Sequence, residues 1–127
     1  MRYRNLLVAY DGSPEADLAL AHAVALAQAH RARVALVYVL PPRQLARVQR
    51  ADDELEPALV AAVNTVPDEL HPTTRLLEGD PAREILGAAR EHDAILMGAG
   101  RVAEQVAEEA EVPVIVIHCP DGPDLAA

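Results

Sequence analysis

The sequence contains no phenylalanine, no tryptophan and no lysine, and it has only three tyrosines. Hydrophobic residue types nevertheless make up 51% of its 127 residues, so the core must be built mainly from alanine, valine, leucine and isoleucine. This length is typical of one domain. We assign the domain to residues 1–119 and predict a disordered tail over 120–127.

Positive charge is also scarce, because eleven arginines face twenty acidic residues and the formal net charge is −9. Affinity for nucleic acid depends on clustered basic side chains. Arg47 and Arg50 come nearest to a cluster, and Asp52 and Asp53 follow at once. An acidic domain also has no electrostatic attraction to an anionic membrane. We therefore expect neither nucleic acid nor a membrane as a partner.

Cysteine is nearly absent: Cys119 stands alone, so no internal disulfide can form. The first apolar run ends at Asp11 and is too short for a signal peptide or a membrane span. The expected compartment is the cytoplasm. His118 and Cys119 are adjacent, and neighbouring strand residues point to opposite faces, so we expect no metal site there.

Five short apolar runs predict strands, which we place at 6–10, 34–40, around 75–77, 94–97 and 112–118. Their hydrophobicity is continuous rather than alternating, as in parallel strands buried on both faces. Helices are predicted from Pro14, from about 56 to 66, from Pro81 and after Arg101. Ser13 and Asp80 precede prolines and are predicted N-caps. The alternation predicts an α/β fold with one doubly wound, five-stranded parallel sheet and helices on both faces.

Two helices show apolar positions at helical spacing. We predict one buried face from Pro14 onward and another after Arg101, formed respectively by Ala16, Leu20, Ala23, Val24, Ala27 and by Val102, Ala103, Val106, Ala107, Ala110. Ligands of doubly wound sheets bind at the carboxyl ends of the strands, where the strand order reverses. Asp11, Leu40 and Gly98 follow or end strands at that edge.

Four stretches together resemble the universal stress protein family: 7–13, 78–86, 95–98 and 112–117. They cover nearly the whole chain in the order of the family. The resemblance implies a sheet order of 3-2-1-4-5 and the fold of the wider HUP superfamily of adenine nucleotide α hydrolase-like domains. It also implies a homodimer that pairs the last strands, here Val114, Ile115, Val116 and Ile117.

Some members of that family bind ATP or another adenine nucleotide. The resemblance implies that Asp11 and Val39 hold the adenosine and that Ala9 and Tyr10 line its pocket. The family holds phosphates on a loop of the form G-x2-G-x9-G-[ST], whereas only Ala99 separates Gly98 from Gly100 here, and Arg101 follows. The candidates that remain for a cofactor at this end are Met97, Gly98, Gly100, Arg101 and Val102.

Each candidate also has a structural interpretation. Asp11 can serve as a turn residue bonded to nearby N–H groups. For the two glycines of Gly98-Ala99-Gly100 we favour a tight strand-to-helix turn over an anion cradle. For Arg101 we favour a solvated side chain or an ion pair with Glu104 or Glu108.

The leading hypothesis is a non-catalytic, dimeric, cytosolic stress-response domain whose ATP binding is weak or lost because the glycine loop is short. One alternative is an ATP- or AMP-binding member that uses Asp11, Gly98, Gly100 and Arg101. A second is an adenylate-handling enzyme of the HUP superfamily, although the turn after strand one lacks the signatures of such enzymes. A phospho-acceptor receiver domain is disfavoured, because strand three ends in Glu78-Gly79 rather than in an acidic cluster.

Overall fold

A computed structural model describes residues 3–40 and 57–119. In chain order the elements are β1 (Asn5–Ala9), α1 (Pro14–His30), β2 (Arg33–Leu40), α2 (57–64), a 3-10 turn (Asp68–Leu70), β3 (Thr73–Glu78), α3 (Pro81–Ala89), β4 (Ala94–Gly98), α4 (Arg101–Glu109) and β5 (Val114–Ile117). The predictions made for 41–55 and 120–127 lie outside the described residues.

The five strands form one parallel sheet in the order β3-β2-β1-β4-β5. The chain builds one half of the sheet outward from β1 and then crosses to β4 for the other half. The predicted doubly wound topology and strand order are therefore confirmed. The order reverses between β1 and β4, and the ligand site of such a sheet is expected at the carboxyl ends of these two strands.

Helices cover both faces of the sheet. On one face Leu6, Val8 and Leu96 pack with buried residues of α1 and α2. On the other face Leu7 and Ile95 pack with buried residues of α3 and α4. All five of these strand residues are at most 1% exposed, so the inner strands are buried on both sides, as their continuous hydrophobicity predicts.

The predicted helix starts are confirmed for α1 and α3. The Ser13 hydroxyl accepts a hydrogen bond from the N–H of Ala16 at 3.1 Å. The Asp80 carboxylate accepts one from the N–H of Arg83 at 3.0 Å. In both helices a proline follows the cap, where its missing N–H costs nothing.

The prediction of burial was wrong for β3, whose residues are exposed except for a half-buried Leu77. Its sequence begins Thr-Thr-Arg, and as an edge strand it has β2 as its neighbour on one side. The predicted face of α4 was also too wide, because Ala107 is exposed. β5 starts at Val114 rather than Val112, since Pro113 has no N–H to extend the ladder.

The remaining boundaries shift by one or two residues. β1 runs from Asn5 to Ala9, so Tyr10 follows the strand, and α2 ends at 64 rather than near 66. No helix of the described part of the chain is long and apolar enough to span a membrane.

Candidate functional site

A cavity of about 350 Å³ opens at the carboxyl ends of β1, β2 and β4. It lies against the amino-terminal ends of α3 and α4. All nine residues predicted to bind a cofactor line it: Ala9, Tyr10, Asp11, Val39, Met97, Gly98, Gly100, Arg101 and Val102. The structure thus gathers every predicted site residue at the point where the strand order reverses.

The inner wall of this switch-point cavity is apolar. Val37, Val39, Ile85 and Met97 belong to the core beneath α3 and α4, with Ala9 packed beside them. The exposed fractions of Val37 and Met97 are 1% and 4%. Such a wall suits a flat, uncharged group, and a few polar groups at the rim would set its orientation.

Asp11 supplies a carboxylate at the rim. Its Oδ1 accepts a hydrogen bond from the backbone N–H of Ser13 at 2.9 Å, which is the turn role considered for it. No hydrogen bond from the described residues reaches Oδ2. Asp11 is exposed and lines the cavity, so the turn holds one carboxylate oxygen and leaves the other available. The turn role and a ligand role are therefore compatible.

Tyr10 borders the cavity, but its hydroxyl is engaged elsewhere. The side chain is 5% exposed and packs in the core beneath α1. The hydroxyl donates a hydrogen bond to Oδ1 of Asp17 at 2.7 Å. Burial, followed by the hydrogen bond to Asp17 and by the negative charges of Asp17 and Asp11, raises the pKa of Tyr10 to about 12. Tyr10 therefore ties the end of β1 to α1.

Gly98 is the last residue of β4, and its lack of a side chain has a packing cause. A Cβ built on Gly98 would lie 2.5 Å from the Cβ of Glu15 and 3.2 Å from its carbonyl carbon. The first turn of α1 therefore crosses directly over this position. The two-residue link from Gly98 to Arg101 is the tight strand-to-helix turn that we favoured, and at Gly98 the close approach of a helix is an additional constraint.

Gly100 and Arg101 form the start of α4 at the edge of the cavity. Gly100 is the N-cap, has φ 155° and ψ −175°, and offers no side chain to the helix, a conformation nearly restricted to glycine. The first backbone hydrogen bond of α4 runs from the N–H of Glu104 to the carbonyl of Gly100. The N–H groups of 101–103 therefore have no acceptor among the described residues. This helix end is therefore an open set of donors facing the cavity.

Arg101 is exposed and lines the cavity. Arg101 does not form the ion pair considered with Glu104 or Glu108. The salt bridge found within 3–40 and 57–119 joins Arg75 to Glu91. Of the two structural interpretations considered for Arg101, the solvated side chain is the one observed. Its guanidinium is available to a ligand at the cavity rim.

The sequence reasoning missed seven residues that also line the cavity: Ser13, Val37, Tyr38, Pro81, Ile85, Ala99 and Ala103. Val37 could have been found from strand periodicity, because it lies two residues from Val39 and so on the same face. Pro81 and Ile85 come from α3, and nothing local indicates that this helix reaches the switch point.

A resident metal finds no support in this geometry. Within the described residues no group of three or more His, Cys, Asp or Glu side chains is placed to hold a metal ion. The polar groups of the residues that line the cavity are backbone donors, the guanidinium of Arg101, the carboxylate of Asp11 and the hydroxyls of Ser13, Tyr10 and Tyr38.

The fold and the cavity together define a doubly wound α/β domain with an open cavity at its switch point, where this class binds ligands. The model of the universal stress protein family matches residues 2–118. The chain therefore belongs to the universal stress protein family.

Relatives agree with this assignment. The chain is 33% identical to the "Universal stress protein in QAH/OAS sulfhydrylase 3'region" of Thermus aquaticus, over 91% of this chain and 99% of that one. Among solved structures, universal stress protein UspA from Lactobacillus plantarum superposes with a TM-score of 0.85 at 24% identity, covering 92% and 99% of the two chains. The universal stress protein from Archaeoglobus fulgidus in complex with dAMP superposes with a TM-score of 0.77 at 29% identity, covering 92% of this chain and 99% of that one.

Proposed function

We propose that this chain is a non-catalytic universal stress protein that binds an adenine mononucleotide in the switch-point cavity and holds ATP weakly. The observation that carries the proposal is the start of α4. Its free N–H groups open into the cavity, yet only two residues connect β4 to the helix. The free N–H groups of a helix start can receive a phosphate group, and a link this short adds few further donors for a second or third one.

The apolar wall and the rim fit the rest of such a ligand. A base can lie against Val37, Val39 and Met97, and the free oxygen of Asp11 can accept a hydrogen bond from a ribose hydroxyl. The A. fulgidus relative in complex with dAMP supports a monophosphate as the ligand. Arg101 adds a guanidinium fork, which matches the geometry of phosphate oxygens.

A triphosphate would need more main-chain donors than this site offers. The N–H of Ala99 already donates to the carbonyl of Ile117 at 2.9 Å, so the two-residue connection adds little to the helix start. The alignment with the T. aquaticus relative spans 144 positions, more than the 127 residues of this chain, so that relative carries residues with no counterpart here. The Ala99 contact supports weak binding of a triphosphate, and the extra residues of the relative are what we expect if its phosphate loop is longer than the link here.

Isothermal titration calorimetry with AMP, ADP and ATP tests the proposal. We expect AMP to bind more tightly than ATP, and the Arg101→Gln variant to weaken AMP binding by roughly tenfold, since charge-assisted hydrogen bonds contribute about 1.5–3 kcal/mol. Arg90→Gln removes an equal charge from the residue that follows α3, outside the lining of this cavity, and should leave the affinity unchanged. ATP binding tighter than about 10 μM, or about 7 kcal/mol, would overturn the proposal.

The same proposal includes a cytoplasmic homodimer formed through β5. All four residues of β5 are half-buried, and an apolar edge strand needs a cover. The carbonyls of Pro113 and Ile117 accept hydrogen bonds from the β4 side. Alternation along a strand then turns the N–H and C=O of Val114 and Val116 toward the outer edge.

A pair of proline variants tests this dimer. Val116→Pro removes an outward N–H and should yield a folded monomer by sedimentation equilibrium. Ile115→Pro removes an N–H directed at β4 and should lower the stability of the domain itself. A wild-type chain that sediments as a monomer at all concentrations would contradict the dimer.

A further inference from the structure

A second polar cavity, of about 420 Å³, lies at the amino end of the sheet, opposite to the switch-point cavity. It is lined by Arg4, Asn5, His30, Arg31 and Arg33. We call it the arginine cavity. Three of the seven arginines in the described residues thus meet in one place, in a chain whose net charge is −9.

The tertiary fold brings these side chains together. Arg4 immediately precedes β1, and its carbonyl accepts a hydrogen bond from the N–H of Arg33 at 2.8 Å. Arg31 is the C-cap residue that follows α1, and Arg33, two residues later, begins the neighbouring strand β2. Parallel pairing of β1 with β2 therefore places all three at the same end of the sheet.

The carboxylates of the described segments form no ion pair with this group. None of the three arginines is in the salt bridge found in the described part of the chain, which joins Arg75 to Glu91. The acid nearby is Asp93, whose Oδ2 accepts hydrogen bonds from the backbone N–H groups of Arg4 and Asn5 at 2.6 and 2.9 Å. These two amides occupy Oδ2 of Asp93, whose negative charge still interacts with Arg4. No ion pair from a described carboxylate reaches Arg31 or Arg33.

His30 adds a fourth donor. Its Nδ1 accepts a hydrogen bond from the backbone N–H of Tyr3 at 3.1 Å, and its ring lies 5.1 Å from the ring of Tyr3. In the neutral imidazole the hydrogen is therefore on Nε2. The ring is held in place while its remaining donor stays open.

The backbone conformation of Arg31 indicates that its side chain, and not only its backbone, matters at this position. Arg31 has φ 58° at the end of α1, and His71 has φ 49° in an adjoining cavity that shares Asn5 and Arg33. They are the non-glycine residues with positive φ in the described segments. Glycine would take this conformation without steric cost. In the arginine cavity an arginine occupies such a position instead.

We propose that the arginine cavity binds a phosphate group carried by a small molecule. Guanidinium forks pair bidentately with phosphate oxygens, and a volume of 420 Å³ lies within the range of small-ligand pockets. The competing explanation is that the arginines only balance the negative end of the α1 dipole. This site is separate from the switch-point cavity and does not depend on nucleotide binding there.

Titration of the full, ¹⁵N-labelled chain with pyrophosphate at low ionic strength tests this site. We expect saturable amide shifts at 4–5 and 30–33. The same shifts should persist in the Arg101→Gln variant, which separates them from any binding at 98–103. Inorganic phosphate should shift the same amides with lower affinity, and citrate, an anion without phosphate, should bind more weakly still.

The variant Arg31→Asn/Arg33→Gln should lower the affinity for pyrophosphate by roughly 100-fold, since each lost charge-assisted contact accounts for about tenfold or more. Asparagine tolerates the positive φ of residue 31, and exposed Arg33→Gln alone serves if the double variant unfolds. Arg90→Gln is the control with equal charge and should bind as wild type. Shifts confined to 98–103, equal binding of citrate, or equal loss in Arg90→Gln would each overturn the proposal.

Discussion

Replacing Gly98 with alanine would place a methyl carbon where the first turn of α1 already lies. The new carbon would stand 2.5 Å from the Cβ of Glu15 and 3.2 Å from its carbonyl carbon. It would also lie 3.3 Å from the backbone nitrogen of Ala16. These atoms belong to backbone or are bonded directly to it, so rotation of a side chain cannot relieve the contact. Either α1 moves away from β4 or the strand bends.

Overpacking of this kind costs about 1–3 kcal/mol of unfolding free energy. For a domain of this size each kcal/mol corresponds to about 4 °C in Tm, so Gly98→Ala should lower Tm by about 4–12 °C. The matched control is Gly87→Ala, because a Cβ at Gly87 in α3 would have no atom within 4 Å. There alanine should raise the stability by about 0.5–1 kcal/mol through its helix propensity.

Urea denaturation and thermal melts of both variants measure the contrast. The two substitutions are chemically identical, so opposite signs would isolate the close approach of α1 to β4. A Gly98→Ala protein as stable as wild type would refute the reasoning, since it would mean that α1 does not cross Gly98 at this distance.

Three further substitutions probe hydrogen bonds seen in the structure. Tyr10→Phe should lower the unfolding free energy by about 1 kcal/mol. In wild type one tyrosine should ionise near pH 12 by ultraviolet titration. Because the folded pKa of Tyr10 is raised, its stabilising contribution is complete below pH 10 and is lost as the pH rises toward 12. The pKa of Asp93 is lowered, chiefly by two backbone N–H donors, so its contribution is present above its ordinary value of 3.8 and is lost as the pH falls below it. Urea melts at pH 7 and pH 3 should therefore show a smaller difference in stability between Asp93→Asn and wild type at the lower pH. Ser13→Ala should cost about 1 kcal/mol through loss of the α1 cap, measurable by the same melts, and an unchanged stability would mean that the cap bond contributes nothing.

The order of the elements could be predicted because it depends on local sequence. Continuous apolar runs marked β1, β2 and β4, and the Ser13-Pro14 and Asp80-Pro81 pairs marked helix starts that the structure shows with their capping hydrogen bonds. The exposure of β3 was not predicted, because a strand at the edge of the sheet needs fewer apolar residues than a central one. Edge position is a property of the whole sheet.

Some residues of the candidate site could likewise be predicted from the sequence, and others could not. Asp11 and Gly98 could be predicted, since they follow or end apolar strands and the carboxyl ends of such strands share one edge of the sheet. Ile85 and Pro81 could not, because their place at the cavity depends on how α3 packs. The reason why position 98 requires glycine could not be predicted either, because the residue that crosses it, Glu15, lies 83 positions earlier in the chain (98 − 15).

By itself the sequence determined the α/β class, the caps of α1 and α3 and the shortness of the link between β4 and α4, because each follows from residues within one or two turns of one another. Only the tertiary structure decided that Asp93 bonds the backbone of Arg4, 89 residues away, and that Arg4 meets Arg31 and Arg33 in one cavity. The physical reason is that such contacts arise between segments that the parallel sheet brings side by side, and no local pattern records them.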